Sequence, residues 1–192
     1  MPQNSPQTLD FMRRRRSRPA KTLSTPVPGR DEVRDLLGIA ARTPDHGKLE
    51  PWRFLVLERP ALERLADSVP AHGHMAGIAE EKIAKMERQF ADAHLAVVVV
   101  ASPKPSDAIP EAEQLLSAGA ACYGLLIAAL AAGWGANWLT GWAMHDRGFV
   151  EGALGLTERE SVAGIVHLGT ETSEPPERPR PDLDALVTWV EA

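Results

Sequence analysis

The chain of 192 residues holds a single cysteine, Cys122, so it can form no internal disulfide and has no Cys cluster for zinc or an iron–sulfur centre. A reducing, cytoplasmic setting is expected. It lacks a GxGxxG turn, a GxxxxGK loop, an HExxH helix and a GxSxG elbow, and with them the sequence signals of a Rossmann site, a P-loop, a zinc protease and an esterase nucleophile. No secretory signal is expected, because Arg13 to Arg16 interrupt the short apolar run near the N-terminus. Charge is absent from Gln114 to His145, counting histidine as neutral. A membrane span needs about 20 apolar residues. This stretch, however, is rich in alanine and glycine, is broken by Gly133 and Gly135, and follows Glu111 and Glu113. A helix buried on all sides of a soluble protein, with no membrane partner, is the expectation.

Basic charge is scarce beyond the first 30 residues. Residues 1–30 carry seven basic and one acidic side chain; the rest carry fourteen and twenty-five, for an overall charge of −5. A broad basic face for nucleic acid is therefore not expected. With 44% hydrophobic and 24% charged residues the chain is neither collagenous nor wholly disordered. Its length suits one domain over residues 1–192, with 1–8 flexible and 173–192 as a C-terminal arm.

Val33, Leu36, Leu37, Ala40 and Ala41 keep helical spacing, with Asp31 and Glu32 at the positive end of the helix dipole. Phe54 to Leu57 reads as a buried strand, Pro60 to Val69 as a short helix, and His72-Gly73-His74 as a loop. Ile78 to Ala91 is an amphipathic helix, and Ala96 to Val100 a strand buried on both faces. A long helix spans about Glu111 to Ala132. Ala136 to Leu139 and Val162 to Leu168 are strands around a short helix at Phe149 to Leu154, and Leu183 to Val190 is a last docking element. This alternation argues for α/β or α+β with a central sheet.

His72 and His74 could ligate a metal, although the bland reading is a solvated loop. The run Arg13 to Arg16 is open to three readings: a solvated helix end, a nucleic-acid contact, or an anion site in which guanidinium forks and the Ser17 hydroxyl hold a phosphate. The loop from Arg42 to Phe54 gathers Arg, Asp, His, Lys, Trp and Gly between a helix and a strand, a place where function concentrates.

Arg15-Arg16-Ser17, Pro44-Asp45-His46, Pro51-Trp52-Arg53-Phe54, Ser117-Ala118-Gly119, the run from Gly133 to Gly141, and Val166 to Thr170 together resemble the flavin-dependent nitroreductases, in particular their small YdjA-like subgroup. The resemblance covers about residues 9–182. It implies an α+β fold with a central, mostly antiparallel sheet flanked by helices. It also implies an intertwined homodimer with FMN at the subunit interface, and NAD(P)H as donor to a nitroaromatic, quinone or similar small-molecule acceptor in a ping-pong cycle. By position, Arg15, Arg16 and Ser17 match the motif that holds the ribityl-phosphate and ring edge. Arg42 and His46 match flavin contacts made by the other subunit, Trp138, Leu139 and Thr140 match the segment beside the flavin, and Arg178 and Arg180 match a late basic pair at the phosphate. Many family members carry a lysine where this chain has Pro19; Arg18, Lys21 or the other chain's Arg42 are the candidate replacements. No protein nucleophile is implied, since the cofactor carries the chemistry. A flavin-binding sensor or storage protein without turnover is the alternative.

Overall fold

The computed structural model describes residues 4–191, so the first three residues of the expected flexible segment and the last of the arm lie outside it. Five strands, β1 (Leu23–Ser24), β2 (Trp52–Glu58), β3 (Leu95–Ala101), β4 (Gly135–Leu139) and β5 (Ser161–Glu171), form one sheet. Its order is β1-β5-β3-β2, with β4 also on β5, and every pairing is antiparallel. The helices are α1 (Pro6–Arg14), α2 (Arg30–Ala40), α3 (Arg59–Met75), α4 (Glu80–Ala91), α5 (Glu111–Ala131), α6 (Arg147–Leu154) and α7 (Leu183–Leu186).

The two sheet faces bury different helices. Leu62 and Leu65 of α3, Phe90 of α4 and Phe149 of α6 pack with Val98 and Ile165 on one face. Val33 and Leu36 of α2 and Leu125 of α5 pack with Val97, Val166 and Leu168 on the other. All seven residues of β3 are buried between these layers, which is why its apolar run is uninterrupted. The N-termini of α2 and α6 are held by side chains. The Gly29 N–H donates to Glu32 Oε2 at 2.8 Å, and the Phe149 N–H to Asp146 Oδ1 at 2.7 Å.

Four expectations change. β2 is the outer strand beside β3, and Val56 is 41% exposed, so it is not a fully buried strand. α3 continues through Pro70 and the His72-Gly73-His74 segment to Met75. Leu62, Leu65, Ala66, Val69 and Gly73 are its buried residues and keep one helical face, with Gly73 against α4, where a Cβ would lie 2.6 Å from Ile83 Cγ1. That glycine is a close-packing residue rather than a turn. α5 is not buried on all sides: its length and hydropathy would suit a membrane span, but one face covers the sheet and α2 while Leu116 and Tyr123 stand exposed. The segment after the arm forms α7, yet Leu183, Leu186, Trp189 and Val190 remain exposed and do not dock on their own chain.

Candidate functional site

The basic run is laid across one end of the sheet. α1 stops at Arg14, and the Arg18 N–H donates to Ala136 O of β4 at 2.8 Å. The Arg18 Nε lies 3.0 Å from Glu171 Oε2 at the end of β5. Two glycines let β1, which follows the run, lie close against this end of the sheet: a Cβ at Gly135 would sit 2.5 Å from Leu23 Cδ2, and one at Gly169 2.8 Å from Ser24 O. Arg14, Arg15, Arg16 and Arg18 consequently converge on one cleft of about 670 Å³, with Trp134 and Glu171 also in its wall. Arg15 Nη2 approaches Ser17 Oγ at 3.4 Å, while the Arg15 Nε is buried without an acceptor among the described residues. A buried guanidinium N–H with no partner among four arginines suits an anionic group such as a phosphate.

The arm folds back over this run. Arg16 donates to the Pro176 carbonyl and lies 3.7 Å from Glu177, and Arg180 reaches Glu177 at 2.8 Å and Arg13 O at 3.4 Å. Arg180 therefore lies beside Arg13 and shares Glu177 with Arg16 but does not line the cleft, whereas Arg178 is exposed and makes no ion pair among the described residues.

Arg42 and His46 lie elsewhere. Arg42 is exposed just beyond α2. The loop that follows is pinned by Ser117, whose Oγ donates to Pro44 O at 2.9 Å and accepts from Trp52 Nε1 at 3.1 Å. Asp45 Oδ2 accepts the Glu50 N–H at 2.6 Å. Gly47, Lys48 and Glu50 have φ of 71°, 56° and 48°. Two non-glycine residues in the left-handed region, Lys48 and Glu50 on either side of Leu49, need a firm surrounding to hold them. A Cβ at Gly47 would lie 2.5 Å from Ile109 Cδ1, so the tip is also packed. This loop presents His46, its Nδ1 2.7 Å from Glu113 Oε2, at a second cleft of about 500 Å³ with Leu116 and Ala120.

Trp138, Leu139 and Thr140 line neither cleft among the described residues. Trp138 lies over Gly164, where a Cβ would be 1.9 Å from its Nε1, Leu139 packs on the α3–α4 core, and Thr140 is exposed. His74 pairs with Glu80 at 2.8 Å, and His72 packs edge-on against Phe149 and lies 3.7 Å from Asp146. Among the described residues no group of three His, Cys, Asp or Glu side chains could hold a metal ion. Away from the clefts, Arg53 grips Glu160 through two bonds of 2.7 and 2.8 Å and holds its carboxyl down at about 2. Burial pushes the Cys122 thiol up to about 12, so it is inert.

Sequence reasoning missed Glu171 and Glu113 as cleft residues. Glu113 was visible only as an acidic lead-in to a helix, and Glu171 only as the residue after Gly169-Thr170. The family model described as Nitroreductase family matches residues 12–170. A Haemophilus influenzae protein named "Putative NAD(P)H nitroreductase" is 36% identical over 151 residues, 78% of this chain and 82% of its own. "Putative NAD(P)H nitroreductase YdjA" of Escherichia coli K12 is 32% identical over 162 residues, 84% of this chain and 87% of its own. In fold, a nitroreductase-like family protein from Bacillus cereus superposes with a TM-score of 0.82 at 22% identity over the whole of both chains. A "putative nitroreductase in complex with FMN" from Desulfovibrio desulfuricans gives 0.74 at 21%, covering 99% of this chain and 100% of that one. The chain belongs to the Nitroreductase family of oxidoreductases.

Proposed function

We propose that the protein is a homodimeric, FMN-dependent NAD(P)H oxidoreductase, each of whose active sites is built from both subunits. The observation that carries this reading is the placement of the two clefts on α5. The arginine cleft adjoins the helix's C-terminal end at Leu130, Gly133 and Trp134, and the His46 cleft its N-terminal part at Glu113, Leu116 and Ser117. Ser117 and Leu130 are about 20 Å apart along the helix axis, at 1.5 Å per residue. Along this side of the helix runs an uncharged face with Leu116, Ala120 and Tyr123 exposed, Leu116 by 74%. An isologous, antiparallel contact of two such faces, centred near Tyr123, brings the arginine cleft of one subunit to the His46 cleft of the other. The exposed Leu183, Leu186, Trp189 and Val190 give a second apolar surface for the same partner, as an intertwined dimer requires.

In this arrangement Arg15, Arg16, Ser17 and Arg180 hold the phosphate end of FMN, and the partner subunit's Arg42 and His46 face the ring. The free Arg15 Nε fits that role. Arg18 is neutralised by Glu171, which leaves Lys21 and the partner subunit's Arg42, both exposed, as candidates for the positive charge that the family lysine supplies. Trp138, Leu139 and Thr140 flank the ring from β4, Trp138 through its backbone since its indole is committed to Gly164. The flavin, when bound, supplies hydride transfer. The protein fixes its phosphate, places fixed positive charge at the ring edge and leaves one ring face open. NAD(P)H and then a nitroaromatic or quinone acceptor use that face in turn, a ping-pong order, in the cytoplasm.

Mixing inactive homodimers tests the shared site. Arg15→Ala and Arg42→Ala proteins, each defective alone, are combined and allowed to exchange subunits. Half the dimers become mixed, and each mixed dimer has one intact site, so at an FMN concentration that leaves Arg15→Ala sites largely empty about a quarter of all sites recover reductase turnover. No recovery in mixed dimers verified by native mass spectrometry refutes the shared site, and wild-type protein that takes up no FMN refutes the flavin assignment.

A further inference from the structure

The arginine cleft contains a second unsatisfied atom of opposite character. Glu171 Oε2 is engaged by Arg18, but its Oε1 is buried and has no donor among the described residues. The side chain as a whole is 27% exposed and borders the cleft. The one cleft thus holds an unmatched donor, Arg15 Nε, and an unmatched acceptor, Glu171 Oε1. A bare phosphate answers only the first. It offers acceptor oxygens to Arg15, but turning a P–OH toward Glu171 brings two anions together, and their repulsion opposes that contact. A neutral polyol answers only the second. Both atoms are satisfied together by a ligand that carries hydroxyl donors beside an anionic terminus.

We propose that Glu171 is a binding residue of this cleft and accepts a hydrogen bond from a hydroxyl of the chain whose terminal phosphate Arg15 holds. The ligand class is a polyol phosphate, which on the reading above is the ribityl-phosphate of FMN. Arg18 makes this possible: its contact with Oε2 offsets the negative charge and fixes the carboxylate, leaving the other oxygen for the hydroxyl. The cleft then recognises the chain's hydroxyls as well as its charge, and Glu171 sets specificity for a hydroxylated chain over phosphate alone.

The test removes the interaction from each side. Apo-protein is titrated with riboflavin and with lumiflavin, in which a methyl group replaces the ribityl chain, and binding is followed by flavin fluorescence. The comparison uses ligands without phosphate so that a released Arg18 cannot mask the result. Glu171→Ala is expected to lower riboflavin affinity by roughly 10- to 100-fold, the loss of a charge-assisted bond, with lumiflavin affinity changed less than about twofold. Glu171→Gln, which keeps a neutral partner for the hydroxyl, lowers riboflavin affinity by roughly fivefold. FMN follows riboflavin in the Gln variant. Equal losses for riboflavin and lumiflavin overturn the proposal, because Glu171 then acts only on the shape of the cleft. An unchanged riboflavin-to-lumiflavin ratio in both variants overturns it as well. Wild-type protein that binds none of these flavins defeats instead the flavin reading on which the proposal rests.

Discussion

His167 makes the fold sensitive to acid in a way that can be worked out in advance. It lies in β5 between Ala96 of β3 and Asn137 of β4, is 2% exposed, and neither ring nitrogen has a hydrogen-bond partner. Burial pushes its pKa down from 6.5 to about 4, so the folded protein holds it neutral. Below pH 6.5 the unfolded chain takes up this proton and the folded chain does not. Stability that is complete above pH 6.5 is therefore lost as pH falls toward 4, by about 2 kcal/mol at pH 5 and about 3 kcal/mol in full. His167→Leu removes the titration and the two unpaired nitrogens at similar volume, and should change stability by no more than about 1.5 kcal/mol at pH 8. Urea unfolding of both proteins between pH 8 and 5, at one fixed protein concentration because assembly contributes to stability, gives the difference directly. The wild type should lose about 2 kcal/mol relative to the variant across that range. Parallel stability curves would falsify the assignment of a neutral, unpartnered imidazole.

Other outcomes follow from the same geometry. Arg15→Ala should weaken FMN binding by about 10- to 100-fold in a fluorescence titration, whereas Arg42→Ala at saturating FMN should instead slow flavin reduction by NAD(P)H in stopped flow; identical profiles would contradict the division between phosphate and ring. Gly164→Ala forces a methyl into the Trp138 indole and should cost about 1–3 kcal/mol by thermal denaturation, with part of the loss restored by Trp138→Leu in the same chain; a fully additive pair would contradict that contact. Glu160→Gln should destabilise by about 1–2 kcal/mol at neutral pH, a figure held down by solvent at the 38% exposed Arg53. Since the Glu160 carboxyl is lowered from 4.5 to about 2, its stabilisation is present above pH 4.5 and lost as pH falls toward 2, so the wild-type advantage should shrink over that interval in acid melts.

Local patterns announce an element more readily than they announce its neighbours. The valines of β3 have the same reading in isolation and in the fold, because both faces of that strand are covered and no polar residue interrupts it. β2 shows a similar apolar run from Phe54 to Leu57, but its outer edge depends on the order in which distant strands assemble, and nothing in those four residues records it. The end of α3 fails for a related reason. Pro70 and Gly73 are strong breakers by composition. Only the approach of Ile83, on the next helix, shows that Gly73 is small because two helices meet there.

The site divides in the same way. The Arg-Arg-Ser run and the Pro-Asp-His loop are contiguous in sequence and could be recognised as such, yet one chain holds them at separate ends of α5. Glu113 and Glu171 carry no motif; each becomes meaningful only beside His46 or Arg18. The small residues of α5 show how one signal serves two purposes. Ala120 and Gly124 share helical spacing, and close approach of two backbones is expected from both. The structure separates them: a Cβ at Gly124 would lie 3.3 Å from Ala40 Cα of α2, so that glycine is spent inside the subunit, while Ala120 is exposed in the His46 cleft. The uncharged stretch from Gln114 to His145 is therefore neither a membrane span nor a helix buried all round. It combines an inner face that covers the sheet and α2 with an exposed outer face at Leu116, Ala120 and Tyr123, the face that the proposed dimer would bury. Both faces exclude charge, so composition alone could not tell them apart, and the helical phase at which burial stops does.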